Sequence, residues 1–179
     1  MKYKYCPHCG GELEIKYSYD EGGVPYCKKD DIMFFDVPKP CIVVAVIKGE
    51  EVLLLKQSYI YKNSKVLLSG YVGLDESVEE AIKREVREEA GIEVSDISYL
   101  GSDFVPNKEL LMLTYIAKYK SGELTKSEEV EDLGWVNLEL ALDEMKEDYI
   151  GQKIINKILD KSFEESLVAF KAVDNIVEL

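Results

Sequence analysis

From Cys41 onward the apolar residues fall into regular blocks, and before it they are sparse. Cys41–Ile47 is a run of β-branched and small apolar residues. It is followed by the turn Lys48-Gly49-Glu50-Glu51 and a second apolar run, Val52–Lys56, so the two predict a hairpin. Lys65–Ser69 predicts a third short strand ending at Gly70. Over Ser77–Ala90 the apolar period changes to that of a helix, with Ser77-Val78-Glu79-Glu80 as a capping box and Gly91 as the stop. Strand patterning returns at Ile97–Val105, Leu110–Tyr119 and Glu129–Val136. Helical spacing covers roughly Leu138–Lys146, Ile150–Lys161 and Phe163–Val177.

The first 36 residues lack the aliphatic content for a core, yet hold three of the four cysteines and five of the twelve tyrosines, which predicts a stapled module. Asp36-Val37-Pro38-Lys39-Pro40 reads as a short stiff linker. The expected organisation is a module at 1–36, a main domain at 37–146 and a helical extension at 147–179. Ile154, Ile155, Ile158 and Leu159 form one apolar stripe, and Leu167, Phe170 and Val173 another. Such stripes either pack on their own core or bury against a second copy, and a homodimer is the expectation carried forward.

Composition narrows the chemistry. Thirty-five acidic residues against twenty-two basic ones give a formal charge of −13, which opposes bulk binding to nucleic acid. No apolar run reaches the length of a bilayer span, and the first residues carry no apolar targeting segment, so a cytoplasmic protein with no membrane partner is expected. The single histidine, His8, excludes a Ser-His-Asp triad and any two-histidine metal site. Cysteines in a reducing compartment are metal ligands or buried thiols more often than disulfides.

The helix Ser77–Ala90 is the informative element. Winding it at about 100° per residue puts Val78, Ala81, Ile82 and Val86 on one apolar stripe, with Glu85 and Glu89 inside it and Glu88 on its edge. Glu80 and Arg84 are spaced to pair on the solvated side. Glu85 and Glu89 repel each other at i,i+4, oppose the helix dipole in its last turns, and aim at the core. A divalent cation reverses all three penalties, and oxygen ligands suit Mg²⁺ or Mn²⁺.

Gly70, five residues, Glu76, seven residues, then Arg84-Glu85-Val86-Arg87-Glu88-Glu89-Ala90-Gly91-Ile92 resembles the Nudix box at every defined position. The resemblance implies an α/β (α+β) fold with a mixed sheet sandwiched between helices. It also implies a hydrolase that cleaves the diphosphate of a nucleoside diphosphate linked to another group, such as NAD(H), ADP-ribose or a similar dinucleotide. By the same resemblance Glu85 and Glu89 are principal metal ligands, with Glu88 a further or water-bridged one. The resemblance also makes the Ser69 carbonyl a ligand and gives Arg84 the task of orienting a glutamate, Glu76 being the local candidate. Glu129, at the head of Glu129-Val130-Glu131-Asp132-Leu133-Gly134-Trp135, resembles a distant catalytic carboxylate and metal ligand of the NADH pyrophosphatase branch. On spacing alone it is also one acid among several in an exposed stretch.

Cys6-Pro7-His8-Cys9-Gly10 reads as a zinc knuckle, and Cys27-Lys28-Lys29-Asp30 as its partner with a carboxylate in the fourth place. Cys6, Cys9, Cys27 and Asp30 are therefore candidate Zn²⁺ ligands, the other reading being a ribbon that has lost its metal. His8 is expected to point away from that site. Cys41 is expected to be a buried thiol. A zinc ribbon before a Nudix domain resembles the NADH pyrophosphatases, in which the ribbon helps build a dimer. That branch's selectivity motif survives only as Ser102 and Pro106 within Ser102–Leu110. Tyr71 and Phe104 are the candidate substrate-contacting aromatics, and Tyr71 reads equally as packing beside its strand. Other readings are a non-catalytic Nudix-fold nucleotide sensor, and a ribbon that docks protein or RNA on a hydrolase.

Overall fold

The computed structural model describes residues 3–160, and the chain divides into two compact units, Met1–Pro38 and Lys39–Leu179. The predicted helix Phe163–Val177 and the stripe of Leu167, Phe170 and Val173 lie outside the described residues.

The first unit is a three-stranded antiparallel sheet of β1 (Glu14–Ser18), β2 (Gly22–Cys27) and β3 (Ile32–Met33) in the order β1-β2-β3. Its buried side chains are few: Cys6, Val24 and Cys27.

The second unit is built on a six-stranded mixed sheet. Its strands are β4 (Lys39–Lys48), β5 (Glu51–Lys56), β6 (Leu68–Tyr71), β7 (Ile92–Val105), β8 (Leu110–Gly122) and β9 (Asp132–Asn137). The order is β7-β8-β4-β5-β9, with β4 and β8 parallel and β6 paired to β4 from the side. The hairpin forms as its pattern predicts, with Ile47 opposite Val52 and Gly49 supplying the positive φ of the turn. The predicted linker is shorter than its prolines suggest. Lys39 and Pro40 already belong to β4, opposite Leu110 and Leu111, where an edge of the ladder tolerates the missing N–H.

Both faces of the sheet are covered, which is why β4 reads as a continuous apolar run. Ile42, Val44 and Val46 point to one side and pack with Leu53 and Leu55 against Ile82, Val86 and Ala90 of α1 (Val78–Ala90). Val43 and Ala45 point to the other side and pack with Val52 and Leu54 against α2 (Leu138–Glu144) and α3 (Tyr149–Leu159) through Ala141, Met145, Ile154 and Ile155. Ile154, Ile155 and Ile158 of that predicted stripe are thus spent on the chain's own sheet, while Leu159 stays exposed.

α1 begins on the capping box: the Ser77 hydroxyl accepts from Glu80 N, and Glu80 Oε2 accepts from Ser77 N at 2.8 Å. It ends at Gly91, which is left-handed at φ 72° and donates to Arg87 O. β7 begins at Ile92, five residues before the predicted strand. Its pairing with β8 shifts register between Ser95 and Ser98, and that irregularity hides the strand's first half from a period-2 reading.

Candidate active site

Gly70, at the end of the β6 run, meets the glutamates of α1. A Cβ built on Gly70 would lie 2.1 Å from the Glu85 carboxyl, so the carboxyl keeps this position only beside a glycine. Arg84 gathers the acids around it. Its Nε donates to Glu76 Oε2 at 3.0 Å, and Nη2 donates to Glu76 Oε1 at 2.7 Å and to the Tyr71 carbonyl at 3.0 Å. Nη1 donates to Glu85 Oε1 at 2.8 Å and Glu88 Oε2 at 3.0 Å. The expected Glu80–Arg84 pair does not form: Glu80 is engaged in the capping box, and Arg84 turns instead to Glu76, Glu85 and Glu88. The guanidinium and the Gly73 N–H at 2.6 Å hold the Glu76 carboxyl down at about 2.

The three box glutamates differ in surroundings. Glu88 is exposed, Glu85 half-buried, and Glu89 only 7% exposed. Glu89 Oε1 accepts from Gln57 Nε2 at 3.2 Å, while Oε2 is buried with no hydrogen-bond partner among the described residues. Burial, then the neighbouring Glu85, pushes the Glu89 carboxyl up to about 7. Burial also raises Glu85, against the pull of Arg84. An orphaned buried carboxylate oxygen beside a second carboxylate is a donor set that fits a hard divalent cation.

Glu85 and Glu89, but not Glu88, open into a cleft of about 640 Å³. Glu85, Glu89, Glu129, Arg84, Ser69 and Tyr71 all line it. Glu129 arrives from the turn before β9 rather than from the strand itself, because buried Val130 anchors that turn and pairing starts at Asp132. Phe104 is not among the lining residues. It pairs with Leu111 and shares its face of the sheet, whereas the cleft is lined by the alternate residues Leu110 and Met112. The sequence reading overlooked Tyr59, Tyr61, Lys108, Asp148 and Ile150, which also line the cleft. It also overlooked Gln57, whose polar side chain at the end of an apolar strand was the available signal. Cys41 is buried on the cleft floor, and burial raises its thiol to about 11.

In the first unit, one ligand atom each from Cys6, Cys9, Cys27 and Asp30 lies within 4.8 Å of the others. Gly10, at φ 72°, turns the chain so that its N–H reaches Cys6 O at 2.9 Å. Asp30 Oδ2 accepts from the Cys6 and Cys27 thiols at 3.3 and 3.2 Å, and Cys9 and Cys27 Sγ are 3.5 Å apart. Asp30 pushes the Cys9 thiol up to about 12, and the three thiols lower Asp30 in return. Four donors converging with protons between them form a set that Zn²⁺ would fit. The His8 ring is not one of the converging donors; it lies beside Phe34, with centroids 6.1 Å apart.

The family model of the NUDIX domain matches residues 38–156, and the chain belongs to the Nudix family. The NAD-capped RNA hydrolase NudC of Pseudomonas aeruginosa is 35% identical over 137 residues, 76% of this chain and 48% of that protein. The protein of the same name from Pectobacterium carotovorum is 30% identical over 134 residues, 74% of this chain and 50% of its own length. The chain therefore spans about half the length of the curated relatives it matches. Among solved structures, a NUDIX hydrolase from Nitrosomonas europaea superposes with a TM-score of 0.69 at 19% identity, covering 89% of this chain and 93% of that one. That likeness supports the mixed sheet between helices as the fold.

Proposed function

We propose that the chain is a divalent-cation-dependent pyrophosphohydrolase acting on nucleoside diphosphate-linked substrates, NAD(H), ADP-ribose or a similar dinucleotide. The observation that carries this is the orphaned Glu89 Oε2 beside Glu85 in a cleft large enough for a nucleotide. The name of the relatives favours an NAD-linked substrate.

In this reading Glu85, Glu89 and Glu129 hold Mg²⁺ or Mn²⁺, with Glu88 and the Ser69 carbonyl as further ligands. Bound there, the cation would activate a water and offset the negative charge that develops on the substrate's phosphate oxygens. Arg84 holds Glu85 and Glu88 in place, and Gln57 turns Glu89 so that one oxygen stays free. Tyr71, exposed at the cleft rim, stacks on the substrate's flat ring. Cys6, Cys9, Cys27 and Asp30 hold a structural Zn²⁺, since four protein ligands leave no position for a reacting water.

The domain scheme carried into this reading is a zinc ribbon, a Nudix domain and a helical tail. Among the described residues no helix is long and apolar enough to cross a membrane. The described cysteines are free thiols, in keeping with a cytoplasmic setting. A homodimer is supported by the exposed Ile15, Tyr17 and Tyr19 on and after the edge strand β1. A 20 kDa monomer with full activity in sedimentation would remove the dimer from the proposal.

The deciding assay is a panel of NADH, NAD⁺, ADP-ribose, an NAD-capped oligoribonucleotide, dinucleoside polyphosphates and nucleoside triphosphates with Mg²⁺ or Mn²⁺. Turnover of a dinucleotide to two monophosphates is the expected result. Absence of turnover on every member with either metal would leave the sensor reading in its place.

A further inference from the structure

The cleft is lined by four carboxylates, Glu85, Glu89, Glu129 and Asp148, and by two basic residues, Arg84 and Lys108. A guanidinium has five N–H groups, and the five bonds of Arg84 to Glu76, Glu85, Glu88 and the Tyr71 carbonyl use all of them. Arg84 has nothing left to offer a ligand. Lys108 is exposed, and its side chain makes no hydrogen bond, ion pair or ring contact among the described residues. It is the cleft's uncommitted cation among them.

Lys108 stands on a braced turn. It ends the 3₁₀ segment Pro106–Lys108, after which left-handed Glu109 returns its N–H to Pro106 O at 3.3 Å. Glu109 O in turn accepts from Lys39 N at 2.9 Å, tying the turn to β4. Its place relative to the carboxylates follows from the register. Gly70, which faces Glu85, pairs with Ile42, and Ile42 pairs with Leu113. Two strand spacings put Leu113 about 10 Å from Gly70, and Lys108 precedes Leu113 by five residues, beyond the end of β8. A diphosphate seated at Glu85 and Glu89 does not extend that far. A nucleoside attached to it would, if it ran over the apolar lining of Cys41, Val43, Leu110 and Met112.

We infer that Lys108 recognises an additional phosphate carried on the substrate's nucleoside, on its ribose 2′ or 3′ oxygen, the latter including the first phosphodiester of a longer chain. The inference rests on the pyrophosphohydrolase reading only for the direction in which the nucleoside lies. A lone exposed ammonium facing a cleft of carboxylates repels no phosphate and attracts one that reaches past them.

Calorimetry on the full chain with Mg²⁺ tests this using AMP, adenosine 2′,5′-bisphosphate and adenosine 3′,5′-bisphosphate. The wild type is expected to bind one bisphosphate about tenfold or more tightly than AMP, and the position of the favoured phosphate identifies its source. Lys108→Gln should bind that bisphosphate no better than AMP, while Lys108→Arg keeps the gain. If neither bisphosphate gains over AMP in the wild type, or if the gain survives in Lys108→Gln, the inference is overturned. Hydrolysis is read separately. A Lys108-dependent gain in a protein that hydrolyses no dinucleotide would sink the enzymatic reading and leave this one standing.

Discussion

Gln57 Nε2 donates to one oxygen of Glu89 at 3.2 Å, and the other, buried oxygen has no hydrogen-bond partner among the described residues. The pair is asymmetric: one carboxylate oxygen is occupied by the amide and the second is left without a partner. Glu89→Gln keeps the shape and removes the charge. It is expected to lower turnover about a hundredfold or more and to raise the melting temperature of the metal-free protein, because an uncompensated buried carboxylate is gone. Near-wild-type rates for both Glu89→Gln and Glu85→Gln at saturating Mg²⁺ would remove these residues from the metal site.

Glu76 and Arg84 make an acid-sensitive clamp. The folded Glu76 carboxyl sits at about 2 against an ordinary 4.5, with Arg84 the first cause and the Gly73 N–H the second. A depressed carboxylate contributes stability that is present above the unfolded value and is lost as pH falls from about 4.5 towards 2. Glu76→Gln is therefore expected to melt below wild type at pH 7 and to converge with it near pH 2. Parallel curves across that window would contradict the clamp.

Gly70 leaves room for one atom set only. Gly70→Ala places a methyl where the Glu85 carboxyl now lies, so the Glu85 side chain must leave its position or the helix must shift to keep it. A cost of about 1–3 kcal/mol in denaturant unfolding is expected, with a weakened response to Mg²⁺. An alanine variant that binds Mg²⁺ and unfolds like wild type would show that Glu85 has a second, equally good position.

The Cys6–Cys9–Cys27–Asp30 cluster predicts close to one zinc per chain by metal analysis of protein prepared without chelator. Asp30→Cys should retain it against a competing chelator longer than wild type, since thiolate is the softer ligand. Asp30→Ala should lose it. Zinc-free wild-type protein with an intact first unit would mean that the cluster is held by its own hydrogen bonds.

The parts of this molecule that depend on near neighbours were readable from the chain. Ser77, Glu80 and Gly91 bound α1 because caps act within one turn, and Ile42–Ile47 declares a strand covered on both faces by its own composition. Glu85 and Glu89 announced themselves by sitting where a helix does not want charge. What failed to show were partners chosen in three dimensions. Arg84 passes over Glu80 for Glu76, and Phe104 turns away with Leu111 while Met112, one residue further along, lines the cleft. Tyr59, Tyr61 and Lys108 come from loops whose destinations are set by packing, and nothing in their spacing marks them.

The pairing of β4 has a consequence for how such a chain diversifies. Along one edge, β4 is bonded to β6 over Cys41–Val44 and to β5 only at Ile47 and Lys48, and the returning chain wedges in between, with Val66 bridging Leu55. The loop that leaves β5 at Gln57 and returns at Ser64 therefore starts and finishes at the mouth of a forked sheet, held by ladders on either side. Its exposed Tyr59 can be exchanged without breaking a strand pair, whereas Ile60 and Tyr61 pack into the core that α1 shares. Variation in that outer turn is thus mechanically separate from the ladders that fix the frame.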